Sequence, residues 1–106
     1  MTKYMASVYF ADNGKQTQER DVFNAIAKRF GGWTLFDTTG GYIMSNKSLV
    51  VEHAYKLEIM LPDAITQNDF LLLRQDIYVF AEQLKSLYEQ ESVLVTFQEL
   101  HSAEFV

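Results

Sequence analysis

The order of secondary-structure elements is decided by FGGWTLFDTTGGYIMSNKSLVVEHAYKLEIML, residues 30–61, where two β-prone stretches follow one another with no helix between them. The first stretch, residues 33–44, is rich in aromatic side chains. The second, residues 49–61, alternates in the period of a strand, and Pro62 ends it. The polar residues 45–48 separate the two stretches and predict a hairpin loop.

Four of the chain's five glycines lie in this segment, as two pairs. Gly31 follows a helical pattern whose last turn is basic, so it is predicted to be the left-handed residue that ends the helix. Residues 37–41 interrupt the first stretch, either as a tight hairpin or as a bend within one long strand, and we favour the bend. The bend is predicted to bring Trp33 and Tyr42 near one another at a sheet edge.

A strand and a helix flank this segment on each side. Residues 4–10 and 92–98 alternate as strands do. One helix is predicted from Thr17, its N-cap, to Phe30, and a second begins after Thr66, where Asp69 completes a capping box. The core stripe of the second helix comprises Phe70, Leu73, Ile77, Phe80, Leu84 and Leu87.

The resulting order, β-α-β-β-α-β, predicts an α+β protein with the ferredoxin-like split βαβ fold. Residues 1–106 are predicted to form one domain, with a four-stranded antiparallel sheet and two helices on one of its faces. The helix-covered face is predicted to comprise Ala6, Val8, Phe10, Leu57, Ile59, Val93, Val95 and Phe97. The open face is predicted to comprise Met5, Ser7, Tyr9, Glu52, Ala54, Lys56, Glu58, Met60, Leu94, Thr96 and Gln98.

Charge and composition narrow the function classes. The net charge is −5, distributed as +1 over residues 1–53 and −6 over residues 54–106. This acidic balance argues against direct nucleic-acid binding, which uses a basic stripe. The chain has no cysteine, and no apolar run long enough to span a membrane. We therefore expect a cytoplasmic protein without a thiolate metal site.

No catalytic motif stands out, so the candidate site residues are binding residues. His53 and His101 lack metal-ligand spacing, so each is expected to be a lone structural or surface histidine, and we expect no metal and no cofactor. The open-face carboxylates Glu52 and Glu58 are either partly desolvated acid–base groups or ordinary surface groups paired with Lys56 or with a subunit neighbour. The candidate binding residues are Tyr9, Trp33, Tyr42, Glu52, Glu58, Gln90 and Ser92.

Gln90 and Ser92 lie where the second helix meets the last strand. Their side chains are predicted either to satisfy helix-end carbonyls and strand-edge amides, or to stand at the mouth of the open face near Glu52. A separate apolar set lies off the core stripe of the second helix, and such a surface usually meets a partner. This candidate interface comprises Leu71, Leu72, Tyr78 and Val79.

The chain resembles a family of short, uncharacterised bacterial proteins with a domain of unknown function. The resemblance rests on Tyr9-Phe10, on Phe30-Gly31-Gly32-Trp33-Thr34 with its Phe-x-Gly-x-Thr and Gly-x-Trp motifs, on Gly40-Gly41-Tyr42, on Glu52 and on Tyr88-Glu89-Gln90-Glu91-Ser92-Val93-Leu94. It implies the ferredoxin-like fold and no activity.

Two functions fit these features. The leading hypothesis is a non-enzymatic, acidic protein-interaction module that forms a homodimer, of the kind found among phage or mobile-element inhibitors of host machinery. The alternative is a small-ligand-binding protein or small enzyme, in which two open sheet faces pair as a dimeric α/β barrel. Its pocket is predicted to be lined by Tyr9, Trp33, Tyr42 and Glu52.

Overall fold

A computed structural model, which describes residues 2–13 and 19–106, shows six elements in the predicted order. They are β1 (Lys3–Ala11), α1 (Glu19–Phe30), β2 (Thr34–Ile43), β3 (Leu49–Met60), α2 (Gln67–Leu87) and β4 (Leu94–Leu100). The predicted α+β, ferredoxin-like fold class is confirmed. Thr17, predicted as the N-cap of α1, lies outside the described residues.

The four strands form one antiparallel sheet in the order β2-β3-β1-β4. The two central strands are therefore β1 and β3. Ala6 pairs with Ile59 on one side and with Phe97 on the other, so three apolar side chains stand in one row. Both helices cover this face because their buried side chains join the same core cluster.

The core lies between the helices and this face of the sheet. In α2, Leu73, Ile77 and Leu84 of the predicted stripe are buried, while Phe70, Phe80 and Leu87 pack at the edge of the core. The largest fully buried side chain is Tyr88, at the C-cap of α2, whose ring centroid lies 4.6 Å from that of Phe10. The sequence pattern placed Tyr88 at the helix end without identifying it as core.

Local chemistry sets the ends of the helices as predicted. The Thr66 hydroxyl accepts a hydrogen bond from the Asp69 amide at 3.2 Å, and the Asp69 carboxylate accepts one from the Thr66 amide at 3.0 Å. These are the two bonds of a capping box at the start of α2. After α1, Gly31 has φ +94 and its amide donates to the Ala27 carbonyl at 2.8 Å, so it ends the helix in the left-handed region.

The hairpin of β2 and β3 corrects the predicted bend. Pairing runs without interruption from Thr34↔Glu58 to Ile43↔Leu49, and neither Gly40 nor Gly41 has a positive φ. The two glycines are therefore ordinary ladder residues within one straight strand. The chain reverses in the predicted loop, where the Met44 amide donates to the Ser48 carbonyl at 2.9 Å.

The straight strand separates Trp33 from Tyr42, so the prediction that they stand together is wrong. Nine residues of extended chain span about 30 Å at the usual rise per residue. The outer part of the hairpin, residues 38–54, is called the arm below, because none of its residues is buried. It exposes large apolar side chains, namely Tyr42, Ile43, Met44, Leu49 and Val51.

Candidate functional site

A polar cleft lies between the arm and the link from α2 to β4, and is called the acidic cleft. Its volume is about 490 Å³. Three parts of the chain that are distant in sequence form it: the end of β1, the arm, and residues 89–92. Its lining comprises Ala11, Tyr42, Glu52, Glu89, Gln90, Glu91 and Ser92.

The sheet register places the arm residues of this cleft. Gly40 pairs with Glu52, and Tyr42 stands two residues further along on the same face of β2. Because Gly40 has no side chain, nothing on β2 stands directly beside the Glu52 carboxylate. The glycine thus leaves the carboxylate approachable from the side on which Tyr42 exposes half of its surface.

The wall opposite the arm is held by Gln90. Its side-chain carbonyl accepts a hydrogen bond from the Ala11 amide at 3.2 Å, and its side-chain amide donates to the Tyr88 carbonyl at 2.8 Å. The backbone turns sharply just before, where Glu89 has φ 54. Gln90 therefore satisfies a strand-edge amide and a helix-end carbonyl, the structural role predicted as one of its two alternatives.

The described lining of the acidic cleft carries carboxylates and no basic side chain. Glu52 belongs to β3, whereas Glu91 and the Ser92 hydroxyl come from the link before β4. Carboxylates that line one cleft create a negative potential there, and this favours a cationic occupant. A volume of about 490 Å³ is in the range of small-molecule sites.

A second cleft, called the apolar cleft, lies at the opposite end of the sheet and has a volume of about 560 Å³. Trp33 forms one wall, where its ring packs 4.9 Å from that of buried Phe23 and its indole N–H donates to the Phe23 carbonyl at 3.0 Å. This hydrogen bond and the ring contact orient the indole. The remaining lining is Met5, Phe30, Gly31, Gly32, Thr34, Glu58, Met60 and Phe105.

Tyr9 and Glu58, the two other candidate residues, lie in the middle of the open face. Lys56 lies between them, with its ammonium 3.1 Å from the Glu58 carboxylate and 5.8 Å from the centre of the Tyr9 ring. The hydrogen bond to Glu58 raises the pKa of Lys56 above its ordinary value. Of the two alternatives for Glu58, the structure therefore shows the carboxylate paired with Lys56.

The candidate residues thus fall into three places. Tyr42, Glu52, Gln90 and Ser92 meet in the acidic cleft, Trp33 and Glu58 line the apolar cleft, and Tyr9 stands between them on the open face. Glu89 and Glu91 were not singled out from the sequence, although they flank Gln90 directly. Glu89 and Glu91 lie near Glu52 because of the sheet register, which a sequence pattern does not reveal.

Sequence reasoning also missed a charged cluster around His53, which was expected to be a lone histidine. Its Nδ1 lies 3.0 Å from an Asp12 carboxylate oxygen, and its Nε2 lies 3.1 Å from an Asp37 oxygen. These hydrogen bonds raise the pKa of His53, that to Asp12 contributing most. The three residues come from separate strands or strand ends, so only their pairing brings them together.

The candidate interface on α2 is exposed in part. Leu72 and Val79 expose 63% and 52% of their surface, and Leu71 exposes 43%. Tyr78 packs edge-on against Phe97 at 5.9 Å, so its ring also covers the edge of the core. The role of these residues as an interface stays a prediction.

Within residues 2–13 and 19–106, no group of three or more histidine, aspartate or glutamate side chains is placed to hold a metal ion. Neither described helix is both long and apolar enough to cross a membrane.

Among solved structures, the chain is similar to a phage SAM lyase in complex with S-methyl-5'-thioadenosine, with 24% identity, a TM-score of 0.65, and coverage of 92% of this chain and 81% of the lyase. The divalent cation tolerance protein Cut A1 from Thermus thermophilus is 11% identical, with a TM-score of 0.60 and coverage of 96% and 87%. A DUF3240 family protein from Shewanella baltica is 13% identical, with a TM-score of 0.59 and coverage of 100% and 98%.

No family model matches the chain, and no curated protein matches it. The DUF3240 neighbour fits the predicted resemblance to an uncharacterised domain, while the motifs that carried the resemblance stay a prediction. A phage enzyme, a cation tolerance protein and a protein of unknown function thus share one architecture with this chain. At these identities the similarity establishes the fold without establishing an activity.

Proposed function

We propose that the chain binds a cationic, nucleoside-containing metabolite of the S-adenosylmethionine class in the acidic cleft. The observation that carries this proposal is the convergence of Tyr42 and Glu52, from the two strands of the arm, and Ser92, from the link before β4, on one cleft of about 490 Å³. This is the small-ligand alternative predicted from the sequence, with the pocket moved from the middle of the open face to the arm.

The chemistry of the lining supports this ligand class. The sulfonium and ammonium groups of S-adenosylmethionine are cations, and the carboxylates of Glu52 and Glu91 offer them complementary charge. The half-exposed ring of Tyr42 offers a π face, which attracts a cation within about 6 Å. The Ser92 hydroxyl can donate to or accept from a ribose hydroxyl.

The similarity to a phage SAM lyase bound to S-methyl-5'-thioadenosine adds support from the fold, since that protein holds the neutral thioether nucleoside that forms part of S-adenosylmethionine. For this chain we further propose cleavage of S-adenosylmethionine, in which the bond between the sulfonium sulfur and the aminobutyrate chain breaks. The sulfur keeps the electron pair and becomes the thioether of S-methyl-5'-thioadenosine, while the carboxylate of the leaving chain attacks the carbon released by sulfur and closes a lactone. This cleavage predicts that S-methyl-5'-thioadenosine accumulates when the protein is incubated with S-adenosylmethionine, which liquid chromatography measures directly.

Calorimetric titration tests binding with three probes: S-adenosylmethionine, S-methyl-5'-thioadenosine and ATP. We expect S-adenosylmethionine to bind and ATP, which is anionic, to bind much more weakly. Glu52→Gln keeps the shape of the side chain but removes its charge, and should weaken binding about tenfold or more, as expected for loss of a charge-assisted contact. Glu99→Gln is the matched control, because Glu99 pairs with Tyr4 at the far end of the sheet.

Equal affinity of the wild type and Glu52→Gln would show that the acidic cleft is not the binding site. Absence of S-adenosylmethionine binding at millimolar concentration, with the wild type fully folded, would overturn the proposed ligand class. Binding without release of S-methyl-5'-thioadenosine would retain the binding function and remove the lyase activity.

The second candidate is the leading hypothesis from the sequence, a protein-interaction module that self-associates. The exposed apolar side chains of the arm and of α2 favour it, with Ile43, Leu49 and Leu72 each exposing more than 60% of their surface. A role as a phage inhibitor of host machinery belongs to this candidate, and its support is one phage neighbour of the same fold.

Sedimentation velocity tests self-association and locates its surface. We expect an oligomer at micromolar concentration, and a shift toward monomer for Leu49→Glu on the arm or Leu72→Glu on α2. The variant that dissociates identifies the interface. A wild type that sediments as a monomer at high micromolar concentration would contradict the predicted homodimer.

A further inference from the structure

The cluster around His53 joins three strands at the base of the arm. The ring of His53, on β3, stands between Asp12, which directly follows β1, and Asp37 on β2. The backbone supports this arrangement, because the Asp12 amide donates to the His53 carbonyl at 3.1 Å. The imidazole is therefore a cross-link between the central strands and the edge strand.

The described ionisable groups that face the ring come from each of these strands. They are the carboxylates of Asp12 and Asp37 and the hydroxyl of Tyr55, which donates to Asp12 at 3.3 Å. The Tyr55 ring also meets the imidazole edge-on, with centroids 5.0 Å apart. The ring centroid of Tyr55 in turn lies 6.5 Å from that of Tyr88, so the cluster covers the aromatic end of the core.

Backbone continuity connects this cluster to the acidic cleft. Asp12 follows Ala11, whose amide donates to the Gln90 side chain that holds the cleft wall. The next residue, Asn13, donates from its side chain to the Tyr88 carbonyl, which also accepts from Gln90. On β3, His53 directly follows Glu52, so one side chain faces the cluster and the other faces the cleft.

We propose that His53 is a pH-operated positioning residue, whose protonated ring ties Asp12 and Asp37 together and thereby fixes both walls of the acidic cleft. An imidazolium donates from both ring nitrogens and can satisfy both carboxylates. A neutral imidazole donates from one nitrogen only, so the other nitrogen presents a lone pair to a carboxylate. Deprotonation therefore releases one of the two ties.

The direction of the pH dependence follows from the same contacts. Hydrogen bonds to the two carboxylates raise the pKa of His53 above its ordinary value of 6.5. A group whose pKa is higher in the folded state stabilises the fold fully below its unfolded pKa. This stabilisation is lost as the pH rises through the folded pKa. At mildly acidic pH both hydrogen bonds of His53 should accordingly hold the arm in place. In alkaline solution one of them should be lost and the arm should become more mobile.

Proton NMR of the imidazole rings tests the titration, because the chain contains only His53 and His101. We expect one ring to titrate above 6.5 in the wild type, and that signal to be missing in His53→Gln. Asp37→Asn should lower the pH midpoint of the His53 ring, since this substitution removes one of its two carboxylate partners. A His53 midpoint at or below 6.5 would overturn the proposal.

Amide exchange of the ligand-free protein, corrected for intrinsic rates, tests the positioning role. In the wild type and in the control His101→Gln, the Ala11 amide and the amides of residues 38–54 should lose protection as the pH rises past the His53 midpoint. The loss of protection should grow with the amount by which the folded-state pKa of His53 exceeds its unfolded value. In His53→Gln these amides should be weakly protected at every pH. The same pH dependence in His53→Gln as in the wild type would contradict the inference.

The effect on ligand affinity rests on the proposed function, whereas the exchange experiment does not. If the exchange data show the pH-dependent tie and S-adenosylmethionine does not bind, the proposed function fails and this inference stands. If S-adenosylmethionine binds with the same pH dependence in the wild type and in His53→Gln, the binding function stands and the positioning role of His53 is refuted.

Discussion

The two ends of the sheet are built by different forces. At the apolar cleft, Trp33 lies against buried Phe23, and its indole N–H is bonded to the backbone of α1. At the arm no residue is buried, and His53 connects the strands through charged hydrogen bonds. Packing therefore sets the geometry of one end, and polar contacts set that of the other. Substitutions at the first end should change stability, and those at the second should change binding and pH response.

The largest expected effect is the difference in stability loss between substitutions of two tyrosines near the acidic cleft. Tyr88 is fully buried against Phe10, and Tyr88→Ala should lower the free energy of unfolding by about 3–5 kcal/mol, as for other large aromatic side chains in cores. Tyr42 is half-exposed on the arm, and Tyr42→Ala should change the free energy of unfolding by about 0.5 kcal/mol or less. Urea unfolding of both variants measures the difference. Similar losses for the two would erase the distinction between arm and core.

The next effect concerns the wall of the apolar cleft. Trp33 is 41% exposed but contacts Phe23, so Trp33→Ala should lower the free energy of unfolding by about 2 kcal/mol, less than for a fully buried aromatic residue. Ligand affinity at the acidic cleft should not change. Trp33→Phe keeps an aromatic ring and removes the N–H donor, so it should cost about 1 kcal/mol. Complete unfolding of Trp33→Ala would show that the indole is a core residue rather than a surface wall.

A smaller effect distinguishes the two glycine pairs. Gly31 has φ +94, so Gly31→Ala should cost about 1 kcal/mol or more, since an L side chain is strained in that region. At Gly40 an added Cβ would lie 3.8 Å from the Ala54 Cβ, an ordinary contact. Gly40→Ala should therefore leave the thermal midpoint unchanged or raise it slightly. If both substitutions destabilise equally, the conformational distinction between these glycines does not hold.

The smallest effect is the contribution of the Asp69 cap to stability, which disappears in acid. The amides of Thr66 and Ile65 bond to the Asp69 carboxylate and hold its pKa below the usual 3.8. A depressed pKa contributes stability above the unfolded value, and this is lost as the pH falls through the folded value. As the pH falls below 3.8, the thermal midpoint of the wild type should thus approach that of Asp69→Asn. A difference between the two midpoints that stays constant throughout the acid range would argue against the cap contribution.

Patterns within single elements were readable from the sequence. The spacing from Leu73 to Leu84 predicted which side of α2 is buried, since residues three and four apart share a helix face. Thr66 and Asp69 predicted the start of that helix for the same local reason. The end of α1 at Gly31 was also predicted, because only a residue without a Cβ enters the left-handed region freely.

Contacts between elements were predicted less well. The bend at Gly40 and Gly41 is absent, because an unbroken ladder with β3 holds this part of β2 straight. The predicted meeting of Trp33 and Tyr42 failed with it. Conversely, Gln90 and Glu52 do line the same cleft, as one alternative from the sequence proposed.

The sequence by itself determined the order of the elements, the ferredoxin-like fold and the buried face of α2 and of the two central strands, since these depend on periodicity and on local capping. Only the tertiary structure decided which polar residues meet. Asp12, Asp37 and His53 are separated by 16 to 41 positions along the chain, and they come together because β1 and β2 both pair with β3 in one particular register. A shift of one residue would turn each side chain to the other face of the sheet and dissolve both the cluster and the acidic cleft.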